Sequence, residues 1–160
     1  MVAPKVKYGN KKFDFKEMFK CAYCGSTIIG EDKYKLLKNG TKKRYRYYRC
    51  TKYKDTACPE PYVEEKFLIN RLISYIDILE KKNKNAIKLS REIKIRMKKH
   101  NSIRNTVFEK QKIIPTALTF TDYAKHILNE GDLATKQEVT KALGTPLYIH
   151  NKSIYSSSLG

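Results

Sequence analysis

The chain has 160 residues, with 34 Lys and Arg against 16 Asp and Glu, and its formal net charge is +18. This length allows one domain or two small ones and excludes a large multi-domain enzyme. No apolar run reaches the roughly 18 residues of a membrane span, and the first twenty residues lack the apolar core of a secretory signal. We therefore expect a cytoplasmic protein without a membrane partner.

The basic charge is confined to the first two thirds of the chain. Residues 1–60 contain 16 basic and 6 acidic residues, residues 61–115 contain 14 and 6, and residues 116–160 contain 4 of each. Net charges of +10, +8 and zero predict a polyanionic partner for the first two segments. Nucleic acid is the first candidate, because neutralising its phosphates releases counterions. The alternative is a basic surface that only aids solubility.

The N-terminal segment reads as a linker followed by short strands. Residues 1–12 contain Pro4, Gly9 and four lysines without a clear period. Phe13-Asp14-Phe15 alternates as the start of a short strand does. Further on, Asn39-Gly40 is a strong signal for a hairpin turn. Lys42 to Cys50, which interleaves cationic and aromatic residues, predicts a strand, and the loop to Pro61 follows it.

Four cysteines lie in this region. Cys21 and Cys24 form a C-x2-C knuckle followed by Gly25, and Cys50 and Cys58 come later, separated by seven residues. A hairpin brings the second pair over the first to complete a tetrahedron of thiolates, so we expect one structural Zn²⁺. The alternatives are a redox C-x-x-C pair, for which no βαβ context is visible, and four buried free thiols. The metal also compensates for the thin core of so small and polar a segment.

Helical spacing replaces the strand pattern after residue 62. Apolar residues from Val63 to Lys82 recur at helical intervals, and a second basic helical stretch runs from Ile87 to Val107. Too many heptad positions are polar for one long zipper. We expect two antiparallel helices broken near residues 83–85.

The last 45 residues are neutral and contain shorter elements. A helix over 119–130 is predicted with Thr119 or Thr121 as its cap, and a second helix opens at Asp132 or Thr135. Leu147-Tyr148-Ile149 and Ser153-Ile154-Tyr155 predict a terminal hairpin, and we expect the tail after it to be disordered.

These patterns predict an α+β fold of four parts. Residues 1–12 are a linker, and 13–62 a four-cysteine zinc β-ribbon that binds DNA. Residues 63–115 are a helical hairpin or coiled-coil-like region. Residues 116–160 are C-terminal helices and a short hairpin that pack back on the ribbon.

Residues 13–25 and the run Tyr47-Tyr48-Arg49-Cys50, followed by Cys58, resemble the zinc ribbon of large serine recombinases, which include phage integrases and transposon recombinases. The segment from Asp122 to Gly144 is similar, more loosely, to the region near that family's C-terminus. The resemblance implies DNA integration or recombination at an attachment site, subunit contacts through the helices, and a nucleoid-associated location.

The resemblance also implies what this chain lacks. In the family, a catalytic domain with a nucleophilic serine precedes the ribbon, whereas the serines of this sequence have no flanking catalytic arginines. We therefore expect a module that is not itself an enzyme. The alternative is a stand-alone zinc-ribbon nucleic-acid-binding protein without a recombination role, and a weaker one is a module for an acidic protein partner.

The candidate DNA contacts are the cations and one tyrosine on and after the third-cysteine strand. Arginine forks onto phosphate or guanine, and tyrosine donates to phosphate. The competing interpretation is that the tyrosines are ribbon core and the arginines a solvated face. The predicted contacts are Lys42, Lys43, Arg44, Tyr45, Arg46, Arg49, Lys52 and Lys54.

Overall fold

The computed structural model describes residues 12–82, 87–114, 116–144 and 146–156. Within these ranges the chain has six strands in two sheets and four helices, which confirms the α+β class. The strands are β1 (Phe19–Cys21), β2 (Ile28–Leu36), β3 (Lys42–Cys50), β4 (Val63–Glu64), β5 (Leu147–His150) and β6 (Ser153–Ser156). The helices are α1 (Glu65–Lys82), α2 (Arg91–Lys110), α3 (Phe120–Glu130) and α4 (Leu133–Lys141).

The first sheet is the ribbon, with strand order β2-β3-β4. Strands β2 and β3 are antiparallel over nine pairs, from Ile28 opposite Cys50 to Leu36 opposite Lys42. The predicted turn joins them, with Gly40 at a φ of +81°, where glycine is favoured because it lacks a Cβ. The Asn39 side chain accepts the Thr41 N–H at 3.1 Å, so this turn also fixes the register.

The second sheet joins the two ends of the described chain. Strand β1 pairs in parallel with β5, and β5 pairs antiparallel with β6, which confirms the terminal hairpin. The buried Glu60 carboxylate accepts the N–H groups of Asn151 and Lys152 at 2.9 and 3.1 Å. Both turn residues have positive φ. Sheet pairing and Glu60 thus attach the C-terminal hairpin to the ribbon.

Two local predictions are wrong. Residues 14–18 form a turn, and β1 begins only at Phe19. Phe13 lies over Gly30, where any Cβ would collide with its ring, so packing and not strand pairing positions this aromatic residue. Val63 and Glu64 belong to β4, because they pair with Tyr48 and Tyr47 of β3. The helix therefore begins at Glu65.

The helices pack differently from a simple antiparallel pair. Helix α1 packs against α3 more extensively than against α2. Glu80 of α1 accepts the N–H groups of Phe120 and Thr121 and so caps the start of α3. Thr119 and Asp132 are the N-caps of α3 and α4, as the sequence indicates.

Several predictions fall on undescribed residues. The break near 83–85, nearly all of the linker and most of the tail lie outside the described ranges. None of the described helices is long and apolar enough to cross a membrane.

Candidate metal centre and nucleic-acid interface

The knuckle is a tight turn between β1 and β2. The Gly25 N–H donates to the Cys21 carbonyl at 2.8 Å, and the Cys21 N–H donates to the Ser26 carbonyl at 2.8 Å. Gly25 has a φ of +72°, which an L side chain rarely adopts. The glycine after the second cysteine therefore lets the backbone curl so that the Cys21 and Cys24 thiols face the same point.

The hairpin and the loop after it bring the second pair of cysteines to this point. Cys21 and Cys58 Sγ are 3.5 Å apart, Cys24 and Cys50 Sγ are 3.4 Å apart, and all four sulfurs lie within 4.8 Å of one another. A tetrahedron with Zn–S bonds of about 2.3 Å has sulfur atoms about 3.8 Å apart. A disulfide needs about 2.05 Å. The four cysteines are therefore positioned for one metal ion, and the structural Zn²⁺ prediction is confirmed.

The thiols differ in electrostatic environment. Burial raises the pKa of Cys50 to about 12 and also raises the pKa of Cys21. The hydrogen bond with Ser26, at 3.1 Å, is the main reason that the pKa of Cys24 falls to about 6. A divalent cation offsets the cost of burying thiolates, because it stabilises their charge directly. Four thiolates and Zn²⁺ are therefore a chemically consistent set.

Groups behind the ligands hold them in place. Ser26 is buried and its Oγ also accepts the Lys54 N–H at 3.0 Å, while the Lys52 N–H donates to Cys50 Sγ at 3.2 Å. Ser26 is not among the site residues predicted from the sequence. Its position directly after C-x2-C-G is the signal that could have identified it.

Tyr48 ties the ribbon to its lead-in and to the first helix. Its side chain is 1% exposed, its hydroxyl donates to Glu65 Oε2 at 2.9 Å, and its oxygen accepts the Phe15 N–H at 3.3 Å. Burial, reinforced by Glu65, raises its pKa well above the usual value. Tyr47 is half-buried, edge-on to Tyr62. Core packing is thus the role of Tyr48, and Tyr47 lies at the margin.

The structure separates the eight predicted DNA contacts into three groups. Lys42, Lys43 and Arg44 are exposed at the far end of the β2–β3 hairpin, and Tyr45 is half-buried beside them under the Lys43 ammonium group. Lys52 and Lys54 are exposed on the loop over the knuckle.

Arg46 and Arg49 form the third group, and both are paired within the ribbon. Arg46 Nε lies 3.1 Å from Asp32 Oδ1, and its Nη1 lies 3.8 Å from Glu65. Arg49 Nε lies 2.7 Å from Glu31 Oε2. These two arginines form ion pairs across β2 and β3, whereas the three cations at the hairpin end are exposed.

Comparison with known proteins assigns the ribbon to a family of domains. Residues 15–77 match the model of the recombinase zinc beta ribbon domain, which confirms the resemblance in this part of the chain. No curated protein matches the chain. Among solved structures, the chain is similar to one described as "Crystal Structure of a LSR-DNA Complex", LSR being a large serine recombinase. The identity is 19% and the TM-score 0.49, over 92% of this chain and 51% of that one, so this chain spans about half of its length.

Proposed function

We propose that this chain is the DNA-binding and subunit-interaction module of a site-specific serine recombinase, and that its zinc ribbon recognises attachment-site DNA during integration. The observation that carries the proposal is the match of residues 15–77 to the recombinase zinc beta ribbon. The charge agrees with it, because residues 1–60, which hold the linker and nearly all of the ribbon, have a net charge of +10. A zinc site with four thiolates has a formal charge of −2, so the region stays cationic.

The shape of the hairpin supports DNA as the ligand. Strands β2 and β3 have nine residues each, which gives a ribbon roughly 30 Å long. A two-stranded ribbon fits the major groove of B-DNA. Lys42, Lys43 and Arg44 lie at the end that would enter, and an arginine there can fork onto a guanine. Arg46 and Arg49 would first have to leave their carboxylates, so we rank them behind these three.

The helices supply the second half of the proposal. Helix α2 exposes Ile95, Ile103 and Val107, which are 56%, 59% and 46% accessible. We propose that this surface contacts another recombinase subunit and that 13–62, 63–115 and 116–160 act as the ribbon, helical and C-terminal parts. In this division the chain recognises DNA and contacts other subunits in the nucleoid. It performs no chemical step of strand exchange.

A gel-shift competition tests the function. The chain is mixed with a duplex of attachment-site sequence, a scrambled duplex of equal length, and single-stranded RNA. We expect the attachment-site duplex to bind best and RNA to compete poorly. Equal binding of both duplexes would favour a stand-alone nucleic-acid binder, and preference for RNA would overturn the DNA assignment. The mixture is also assayed for a covalent protein–DNA adduct, and its appearance would contradict the non-catalytic role.

A further inference from the structure

A second cationic feature lies beside the metal centre, away from the hairpin end. The knuckle and the loop after β3 enclose a cleft of about 300 Å³. The backbone joins its two sides, because the Thr51 N–H donates to the Thr27 carbonyl at 3.1 Å. The cleft is lined by Lys20, Thr27, Thr51, Tyr53 and Lys54 around Gly25 and Ser26. Its size and lining suit a small anion.

Lys20 is held from both sides. Its backbone pairs with Tyr148 of β5 and forms a bridge to Thr27. Its Nζ donates to Thr27 Oγ1 at 3.3 Å. Since the hydroxyl oxygen accepts this bond, its own hydrogen remains available to donate. The half-buried lysine and Thr27 thus present two donors from fixed backbone positions.

Lys54 approaches from the opposite side. Its N–H is fixed on the buried Ser26 Oγ at 3.0 Å. Its Nζ lies over the knuckle, 3.5 Å from the position that a Cβ on Gly25 would occupy. Within the described part of the chain, neither Lys20 nor Lys54 forms an ion pair. No carboxylate of the described residues therefore neutralises either charge.

Comparison with another cationic cleft shows why this one suits an anion. The cleft beside the hairpin is lined by four cations, but its two carboxylates, Glu64 and Glu65, compete with an anion for them; the cations are Lys43, Arg44, Arg46 and Lys66. The described lining of the knuckle cleft contains two lysines, three hydroxyl-bearing residues in addition to Ser26, and no carboxylate. Phosphate oxygens accept hydrogen bonds from ammonium groups and hydroxyls.

We propose that the knuckle cleft binds one backbone phosphate of duplex DNA, with Lys20 and Lys54 as the cationic donors and Thr27, Thr51 and Tyr53 as hydroxyl donors. This inference rests on the DNA-binding function proposed above and adds Lys20 to the contacts. A phosphate contact carries no base information. Its task is to set the orientation of the ribbon, so that the hairpin end meets the groove in one register.

The test uses the full chain with zinc bound. The double variant Lys20→Gln/Lys54→Gln is compared with Lys125→Gln/Lys141→Gln, which removes the same charge from exposed positions on α3 and α4. Binding to two unrelated duplexes is measured over a salt series. Neutralising one phosphate contributes a slope of about −0.9 to log K against log salt. We expect the salt slope of the cleft variant to be shallower by about one unit, equally for both duplexes. The control should have the salt slope of the unaltered chain.

Two further measurements separate the other roles. Zinc release to a chelator is timed for each variant, because the lysines could instead offset the thiolate charge. Inorganic phosphate is titrated while the amide signals of Lys20 and Lys54 are followed by NMR. If the cleft variant keeps the salt slope of the unaltered chain, the inference is overturned, even if inorganic phosphate shifts these amides. Faster zinc release from the cleft variant also overturns it. Binding by the unaltered chain that is insensitive to salt would instead refute the DNA function itself.

Discussion

The β2–β3 hairpin and helix α2 are both strongly cationic, but they are held in different ways. Residues 28–50 contain eight basic and two acidic residues, and residues 91–110 contain seven and two. The base of the hairpin carries the ligand Cys50 and the buried Tyr48, while its end is exposed. Helix α2 has one buried residue, Ile93, in its described length, and Met97 is only partly buried against the core. Arg96 pairs with Glu138 of α4.

The difference shows how charge and anchoring are combined. A hairpin fixed at its base presents its exposed cations, Lys42, Lys43 and Arg44, at a fixed end of the ribbon, as recognition of a groove requires. A helix with a single buried residue in its described length presents a long surface that mixes cations with exposed aliphatic residues, which suits a protein partner better. The following predictions test this distinction, beginning with the largest expected effect.

Removing zinc should unfold the ribbon and leave the helices less affected. Structural zinc contributes about 10–16 kcal/mol in small zinc-finger peptides. Chelation, or Cys50→Ser, should therefore abolish the β2–β3 pairing, and it should release β5 because β1 carries Cys21. NMR of cross-strand contacts, together with metal analysis, checks this. Persistence of those contacts in metal-free protein would show that the hairpin does not need the ion.

Ile93→Ala should destabilise α2 far more than Ile95→Ala. The first side chain is 1% exposed and the second 56%. Truncating a buried isoleucine costs about 2–5 kcal/mol, whereas an exposed substitution stays within about 0.5 kcal/mol. Urea unfolding of both variants measures the difference. Similar costs at the two positions would mean that α2 is covered on both faces in solution.

Ser90→Ala should remove the N-cap of α2. Ser90 Oγ accepts the Ile93 N–H at 3.2 Å, and loss of such a cap costs about 1 kcal/mol. Ser102→Ala, an exposed mid-helix position, is the control and should be nearly neutral. If the two variants melt at the same temperature, the cap does not contribute.

Acid should weaken the contact between α2 and α3 slightly. The rings of His100 and His126 are 4.6 Å apart, His100 also faces Tyr123, and Glu130 lies 3.7 Å from His126. Burial, then His126 and Arg104, lowers the pKa of His100. A lowered folded-state pKa gives stability that is complete above the unfolded value of about 6.5 and is lost as the pH falls through the folded value.

Thermal melts between about pH 5 and 8 should therefore show falling stability in acid, and His100→Gln should flatten the profile. Because His100 is only half-buried, this is the smallest of the stability effects. A protein that becomes more stable as the pH falls through this range would contradict the assignment.

Local chemistry explains which features the sequence reveals. The knuckle glycine, the Asn39-Gly40 turn and the caps Thr119 and Asp132 each depend on neighbouring residues, so their patterns are readable. The pairing of β1 with β5 joins residues more than a hundred positions apart. No local period signals such a contact, and the same holds for Glu60 at the C-terminal turn.

The candidate site follows the same rule. The four ligands are visible as a spacing, whereas the carboxylate partners of Arg46 and Arg49 depend on the register of β2 against β3. Phe13 to Phe15 alternates like a strand but leads into the turn of residues 14–18, because the rings pack on Gly30 and Tyr48. Tertiary packing there outweighs local alternation.

The most direct test of the account neutralises three cations on each of the two elements. One variant carries Lys42→Gln, Lys43→Gln and Arg44→Gln at the hairpin end, and the other carries Lys94→Gln, Lys98→Gln and Lys99→Gln on α2, all at exposed positions. Duplex binding is measured over a salt series. We predict that the hairpin variant loses as much as about three units of salt slope and that the α2 variant keeps the slope of the unaltered chain. Loss of slope in the α2 variant with an unchanged hairpin variant would contradict the account.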